Sequence, residues 1–151
     1  MLLKLRQRMT SEESGFTLVE LLVVMLILGL LIAVAIPTFF NQKQKANDAD
    51  SKAMAHTAQT AMETYATDHN GAYTGATLGQ LQTIESTIDG TVSIVGTPNA
   101  TDYDIKVTNP ITTHVFEIQR TGGTFAYPCT PGGQGGCPDD ATPGGAGNWG
   151  G

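Results

Sequence analysis

The sequence is poor in positive charge. It has 8 lysines and arginines against 14 aspartates and glutamates, which gives a net charge of -6 over 151 residues. A surface that binds nucleic acid needs clustered basic side chains to displace the counterions of the phosphates. The composition therefore argues against a general nucleic-acid-binding protein, and DNA stays open only as a partner that the charge does not indicate.

Cysteine is scarce as well, with only Cys129 and Cys137 in the chain. Both lie in a segment rich in glycine and proline, where we expect them to be accessible to solvent. A structural zinc site needs four ligands, and no histidine is near in the sequence. Outside the cytoplasm two such cysteines pair as a disulfide, with two free thiols as the alternative.

Catalytic motifs are missing. The sequence contains no H-E-x-x-H, no G-x-S-x-G and no phosphate-binding P-loop. Its three histidines, His56, His69 and His114, fall on a predicted helix, a turn and a strand. We therefore predict a surface or packing role for each histidine and no enzymatic activity.

Metal-binding motifs are missing too. Asp102 and Asp104 fall on one face of a predicted strand, and Asp139 and Asp140 follow the second cysteine. Carboxylates are ligands that suit calcium, but the spacing of an EF-hand loop is absent, so solvated acids are the favoured interpretation. The sequence predicts no cofactor, and calcium is an alternative without a motif to support it.

The chain does contain a long apolar run. Residues 21–40 form an uncharged stretch that, as a helix rising 1.5 Å per residue, is long enough to cross a bilayer core of about 30 Å. Three basic residues precede it: Lys4, Arg6 and Arg8. The positive-inside rule then places the N-terminus in the cytoplasm and the remainder outside, a contrast that Lys43 and Lys45 weaken without reversing it.

Glu20 is the anomaly at the start of this run. A carboxylate in the hydrocarbon region costs a few kcal/mol, and such residues usually have a partner. If the chain were cut between Gly15 and Phe16, the new α-amino group could neutralise Glu20 of its own or a neighbouring chain. Assembly would then satisfy a charge that the isolated chain leaves exposed to lipid.

The run from Gly15 to Glu20, GFTLVE, follows a short basic leader and precedes a long apolar helix. In this it resembles the prepilin signature of type IV pilins and of the pseudopilins of type II secretion and competence systems. The resemblance implies cleavage after Gly15, N-methylation of Phe16, and a role for Glu20 in subunit registration. Gly29 and Pro37 fall where type IV pilins and major pseudopilins carry helix-loosening residues, and Pro37 predicts a kink or local melting between the two.

The resemblance also implies partners and a location. The expected partners are other copies of the chain in a homopolymeric filament, a prepilin peptidase, and a pilus assembly platform with its ATPase. The precursor is expected in the cytoplasmic membrane, with its N-terminus in the cytoplasm, and the processed chain in an extracellular filament on the cell surface.

Beyond the apolar run, the composition favours a continued helix to Asp68 that Asn70-Gly71 ends. An apolar stripe at helical spacing predicts packing on a sheet: Met54, Ala58, Ala61, Met62 and Tyr65. A short helix is predicted at 78–84, and strands at 91–95, 103–108, 114–119 and 124–127. The fold class is therefore α+β, a long N-terminal helix packed on a small antiparallel sheet.

The chain divides into five predicted segments. They are a leader (1–15), a hydrophobic transmembrane or filament-core helix (16–40), the outer amphipathic half of the same helix (41–70), a β-rich head (71–128), and a disulfide loop with a Gly-rich tail (129–151). Similar pilins bracket a surface region with a C-terminal disulfide, a part that Cys129 and Cys137 fit. Residues 141–151 are predicted to be a flexible tail with Trp149 as its one anchor.

The function expected from the sequence is that of a major structural subunit of a type IV pilus-like filament. A major pseudopilin of a type II secretion or competence system is the alternative within the same family. A monomeric, membrane-tethered binding module is the alternative from another class, and it leaves Glu20 without a purpose.

Overall fold

A computed structural model of the chain describes residues 15–139 and 147–150. The predicted leader, apart from Gly15, lies outside the described residues, as does the segment 140–146. The chain divides into two compact units that meet in sequence between Thr38 and Phe39. The second unit, from Phe39 onward, is called the head below.

The chain forms two helices and six strands in the described residues. The helices are α1 (Leu18–Asp68) and α2 (Leu78–Ile84), and the strands are β1 (Val92–Ile94), β2 (Tyr103–Thr108), β3 (Val115–Thr121), β4 (Thr124–Ala126), β5 (Pro128–Thr130) and β6 (Gly147–Asn148). All strand pairs are antiparallel, and the strand order is β1-β2-β3-β5-β6, with β4 also paired to β3. The predicted α+β fold is confirmed.

Helix α1 runs through Gly29 and Pro37 without a break. The local melting that we expected from Pro37 is therefore not present in this chain. A Cβ built on Gly29 would meet no atom within 4 Å, so nothing in the described residues of the single chain requires a glycine there. A loosening role for either residue stays a prediction about the filament.

The core of the head lies between α1 and the sheet. Helix α1 contributes the predicted stripe, with Ala58, Ala61, Met62 and Tyr65 buried and Met54 partly buried. Strand β2 alternates as its sequence YDIKVT predicts, and its buried residues Tyr103, Ile105 and Val107 face the helix side. Apolar side chains recur at helical spacing in α1 and at every second residue in β2, and their burial against one another holds the helix on the sheet.

The C-terminal segment differs from the prediction. Residues 147 and 148 form β6, which pairs with β5, and the indole Nε1 of Trp149 donates to the carbonyls of Glu117 and Pro128 at 3.1 Å. The expectation of a flexible tail is therefore wrong for residues 147–150, although Trp149 is an anchor as predicted. The predicted boundary between residues 128 and 129 falls inside β5.

Candidate functional site

The segment from Gly15 to Glu20 leads into the first turn of α1. Thr17 precedes the first helical residue, and its Oγ1 accepts a hydrogen bond from the Glu20 backbone N–H at 3.2 Å. In return Glu20 Oε2 accepts from the Thr17 backbone N–H at 3.5 Å and from its Oγ1 at 3.4 Å. This reciprocal pair is a capping box, which satisfies N–H groups that the first turn of a helix leaves free.

The capping box gives Glu20 a partner that the sequence reasoning missed. The signal was present, because T-x-x-E before an apolar run predicts this motif. Glu20 thus has a local role in the uncut chain, before any neighbouring chain is present. An α-amino group that bound Glu20 in a filament would compete with Thr17 for the same carboxylate.

The Gly15–Phe16 bond lies just before α1, outside regular structure. The Phe16 side chain is 85% exposed, and a Cβ built on Gly15 would meet no atom within 4 Å. Nothing in the described part of the chain therefore demands glycine at position 15. A requirement for glycine at this position would have to come from an enzyme that recognises the bond.

The first half of α1 exposes a continuous apolar surface. Every large apolar side chain from Leu18 to Phe40 is exposed, and the helix is long and apolar enough to cross a membrane. A single soluble domain does not leave so large an apolar surface in water. This surface needs cover from a bilayer or from other chains.

Asp48 is the most deeply buried acid in the described residues, with 0% of its surface exposed. Its Oδ1 accepts from Thr112 Oγ1 at 2.6 Å, and its Oδ2 accepts from His114 Nδ1 and the Gly136 N–H, each at 2.7 Å. These four residues are called the Asp48 centre. It joins α1 to the turn between β2 and β3 and to the loop between the cysteines.

His114 was predicted to be a surface or packing residue, and it packs in the interior with 3% exposure. The sequence did not reveal its pairing with Asp48, because 66 residues separate the two. The backbone of Gly135 packs closely against this pair, and a Cβ added at Gly135 would collide with Asp48 Oδ2. The glycines of the loop CTPGGQGGC thus allow the backbone to approach a buried carboxylate.

The predicted disulfide between Cys129 and Cys137 is present. Both cysteines are buried, with 1% and 2% exposure, so the expectation that they would be accessible to solvent is wrong. They pack with Phe116 and Trp149 in a small apolar cluster, and Trp149 packs against the main core as well. The disulfide closes the loop that contains Gly136, whose backbone N–H donates to Asp48.

A second polar cluster lies further along α1 at Glu63. Its two carboxylate oxygens accept from Tyr73 Oη at 2.7 Å and from Tyr103 Oη at 2.8 Å, and Arg120 Nε lies 4.0 Å away. Burial and the hydrogen bond to Glu63 raise the pKa of Tyr73 to about 12 and raise that of Tyr103 further. Both tyrosines therefore act as hydrogen-bond donors that fix α1 to the sheet.

The acids considered for calcium do not converge. Asp102 accepts hydrogen bonds from Asn99 and Gly122, and Asp104 accepts one from Gln119. Among residues 15–139 and 147–150, no group of three possible metal ligands occurs. Asp140 lies outside the described residues.

Comparison with known proteins places this arrangement in a family. Residues 11–36 match a family profile described as the prokaryotic N-terminal methylation motif. The type IV wide pilus major component PilA4 of Thermus thermophilus is 34% identical over 120 residues, which cover 80% of this chain and 83% of that protein. No solved structure matches the chain.

Two further relatives match over shorter stretches. The competence protein ComGC of Halalkalibacterium halodurans is 34% identical over 59 residues, 39% of this chain and 58% of that protein. The type II secretion system core protein G of Aeromonas hydrophila is 34% identical over 59 residues, 39% of this chain and 41% of that protein. The chain thus matches less than two thirds of the length of these two relatives.

The chain belongs to the family of type IV pilins and pseudopilins. The extent of the likeness to the wide pilus component and the methylation motif show this together. Members of this family are structural subunits and not enzymes.

Proposed function

We propose that the chain is the major subunit of a type IV pilus-like filament. In this proposal the apolar half of α1 holds the precursor in the cytoplasmic membrane. A prepilin peptidase cuts between Gly15 and Phe16, Phe16 is N-methylated, and the chain polymerises through α1 with the aid of an assembly platform and its ATPase. The observation that carries the proposal is the exposed apolar surface from Leu18 to Phe40, which assembly would cover.

The extent of the likeness supports a pilus over a pseudopilus. The match to a pilus component spans four fifths of this chain, whereas the matches to the competence and secretion proteins span 39% each. A match of 120 residues includes much of the head as well as residues of helix α1. The pseudopilin alternative predicts instead that the chain is needed for secretion or competence and forms no long surface filaments.

The role of Glu20 can be tested apart from its capping role. Glu20→Gln removes the charge but keeps a side chain that completes a capping box, whereas Thr17→Ala removes the cap and keeps the charge. If the charge pairs with a neighbour's α-amino group, Glu20→Gln abolishes filaments while membrane insertion persists. Thr17→Ala then weakens the helix start by about 1 kcal/mol and leaves filaments present.

Filaments are counted by electron microscopy of sheared surface material, and insertion is measured by extraction of membranes at high pH. Normal filaments from Glu20→Gln cells, with filaments lost in Thr17→Ala cells, would contradict the registration role. A native chain that inserts but is never found in sheared material would favour the tethered binding module.

A further inference from the structure

The head carries a polar pocket on the face of the sheet that points away from α1, at the end where β2 begins and β3 ends. Its volume is about 350 Å³, within the range of roughly 300 to 1,000 Å³ that small-molecule sites occupy. Asp104 and Gln119 line it, and they lie directly opposite each other in the two paired strands. The buried neighbours of Asp104, Tyr103 and Ile105, face the core, which leaves Asp104 on the outer face.

Two turns that flank the pocket are joined by hydrogen bonds. In the turn before β2, Asn99 Oδ1 accepts from the backbone N–H groups of Thr101 and Asp102, each at 2.8 Å. The turn after β3 donates the Gly122 N–H to Asp102 Oδ1 at 2.8 Å. These contacts lie within the head and hold the pocket in one shape before any ligand enters, which lowers the entropic cost of binding.

Asp104 is the unusual residue of this pocket. Its Oδ2 accepts from Gln119 Nε2 at 3.1 Å, whereas its Oδ1 is shielded from water and has no hydrogen-bond partner in the described residues. Burial and the nearby Glu117 raise the pKa of Asp104. A carboxylate with too few donors opposes folding, so the chain keeps a group here that costs stability. A destabilising titratable group in a pocket is characteristic of ligand sites.

The pocket offers both acceptors and donors to a ligand. The acceptors are the Asp104 carboxylate and Gln119 Oε1, which receives no hydrogen bond within the part of the chain that the structure describes. The donors are the hydroxyls of Thr97 and Thr121 and one N–H of Asn99 Nδ2, whose other N–H is used by a carboxylate. A hydroxyl group suits such a mixture, because it donates one hydrogen bond and accepts two.

Charge narrows the class of ligand. Asp102 and Asp104 repel an anion, and the one cation among the lining residues, Arg120, already donates to the carbonyl of Thr101 and lies 4.0 Å from Glu63. A metal ion needs several converging acceptors, and residues 15–139 and 147–150 contain no group of three possible metal ligands. A neutral ligand rich in hydroxyl groups fits these constraints.

We propose that this pocket binds one hexose unit of a neutral oligosaccharide or polysaccharide. Neighbouring hydroxyls of the sugar donate to the Asp104 carboxylate and to Gln119 Oε1, and they accept from the threonine hydroxyls. The carboxylate turns easily about its Cβ–Cγ bond, so a sugar hydroxyl can reach the oxygen that has no partner. The inference goes beyond the proposed function, because the pocket lies wholly in the head and does not depend on assembly.

The test is an NMR titration of the full-length, isotope-labelled chain in phosphocholine micelles, whose detergent has no sugar headgroup. The probes are the neutral trisaccharides cellotriose, mannotriose and galactotriose, with EDTA present to remove metal ions. Each is added to roughly 10 mM, at which a site of millimolar affinity is largely filled. The expected result is that at least one sugar shifts the backbone amide signals of residues 96–104 and 119–122.

Asp104→Asn is the decisive variant. It is expected to weaken binding roughly tenfold, because a hydrogen bond to a charged acceptor is lost, although it stabilises the fold. Weaker binding by a more stable chain cannot come from damage to the fold. Thr97→Val keeps the shape of the side chain, removes one hydroxyl and is expected to weaken binding about threefold. Asp50→Asn is the matched control, because it removes the same charge from an exposed position outside the pocket and leaves the affinity unchanged.

Four results would overturn this inference. The first is the absence of amide shifts with all three sugars, or shifts that fall outside the pocket, and the second is an affinity that Asp104→Asn leaves unchanged. Sugar binding that appears only when calcium replaces EDTA assigns the pocket to a metal ion instead. Larger shifts of the same amides with trilysine than with any sugar assign it to a cationic peptide. The proposed function stands in each case, because it concerns α1.

Discussion

Two aspartates near the start of β2 show how the environment of one residue decides its effect on stability. Burial and the nearby Glu117 raise the pKa of Asp104, whose Oδ1 is buried without a hydrogen-bond partner in the described residues. Hydrogen bonds from the Gly122 N–H and the Asn99 side chain lower the pKa of Asp102. The ionised form of Asp104 therefore opposes folding, whereas that of Asp102 favours it.

Substitution by asparagine is expected to act in opposite directions at these two positions. A raised folded-state pKa means that protonation favours the folded form, so Asp104→Asn raises the melting temperature at pH 7, and the gain fades as the pH falls below the folded-state pKa. Asp102→Asn lowers the melting temperature at pH 7, and this loss also fades in acid. Thermal unfolding of both variants at pH 7 and pH 4 measures the effect at Asp104, and a further measurement at about pH 2 is needed for Asp102, because its pKa is lowered and its contribution persists at pH 4. Shifts of the same sign at pH 7 would contradict this account.

At the scale of elements, the loop between the cysteines is held against α1 by the hydrogen bonds of the Asp48 centre. The Gly136 N–H is one of three donors to a carboxylate that has no access to water. A buried acceptor of this kind is costly to leave without its donors. The disulfide keeps the loop closed, and the loop supplies one of the three hydrogen bonds that Asp48 accepts.

The contact between this loop and Asp48 can be tested with two glycines that share a backbone conformation. Gly135 and Gly122 both have positive φ, +54° and +58°, but a Cβ at Gly135 would collide with Asp48 and His114, whereas one at Gly122 would meet nothing within 4 Å. Gly122→Ala is expected to cost about 1 kcal/mol of unfolding free energy from backbone strain alone. Gly135→Ala costs roughly 2 kcal/mol more, because the loop must leave Asp48.

Urea unfolding followed by Trp149 fluorescence gives both values at pH 7. Because each variant adds the same methyl group in a similar backbone conformation, the difference between them isolates the contact with Asp48. Equal losses in the two variants would show that the loop does not rest on the buried carboxylate.

The elements that the sequence predicted well carry local signals. Helix α2 has the predicted bounds, and its Thr77 and Gln80 form a capping box readable as T-x-x-Q. Strand β2 also has the predicted bounds, because YDIKVT alternates over its whole length. Strand β3 starts one residue later than predicted and continues to Thr121.

The elements that the sequence missed depend on distant partners. Strands β5 and β6 consist of three and two residues in a stretch rich in proline and glycine, and only pairing with β3 and with each other makes them strands. The Asp48 centre likewise joins residues 64 to 88 positions apart. Neither periodicity nor a short motif contains that information.

At the scale of the whole molecule, the chain combines an acidic head that has its own buried core with an apolar helix segment whose side chains are exposed. The head buries its own core between α1 and the sheet, so the exposed side chains before Phe40 contribute nothing to that core. A protein of this kind needs a second environment to complete it. In the proposed function two such environments follow in succession, the membrane for the precursor and the filament for the processed subunit.

The measurement that tests this account most directly is intact-mass spectrometry of the chain in filaments sheared from native cells. The account predicts a mass that begins at Phe16, carries one added methyl group, and retains the disulfide between Cys129 and Cys137. A chain that begins at Met1 and occurs only in the membrane fraction, in cells with an active prepilin peptidase, would contradict it.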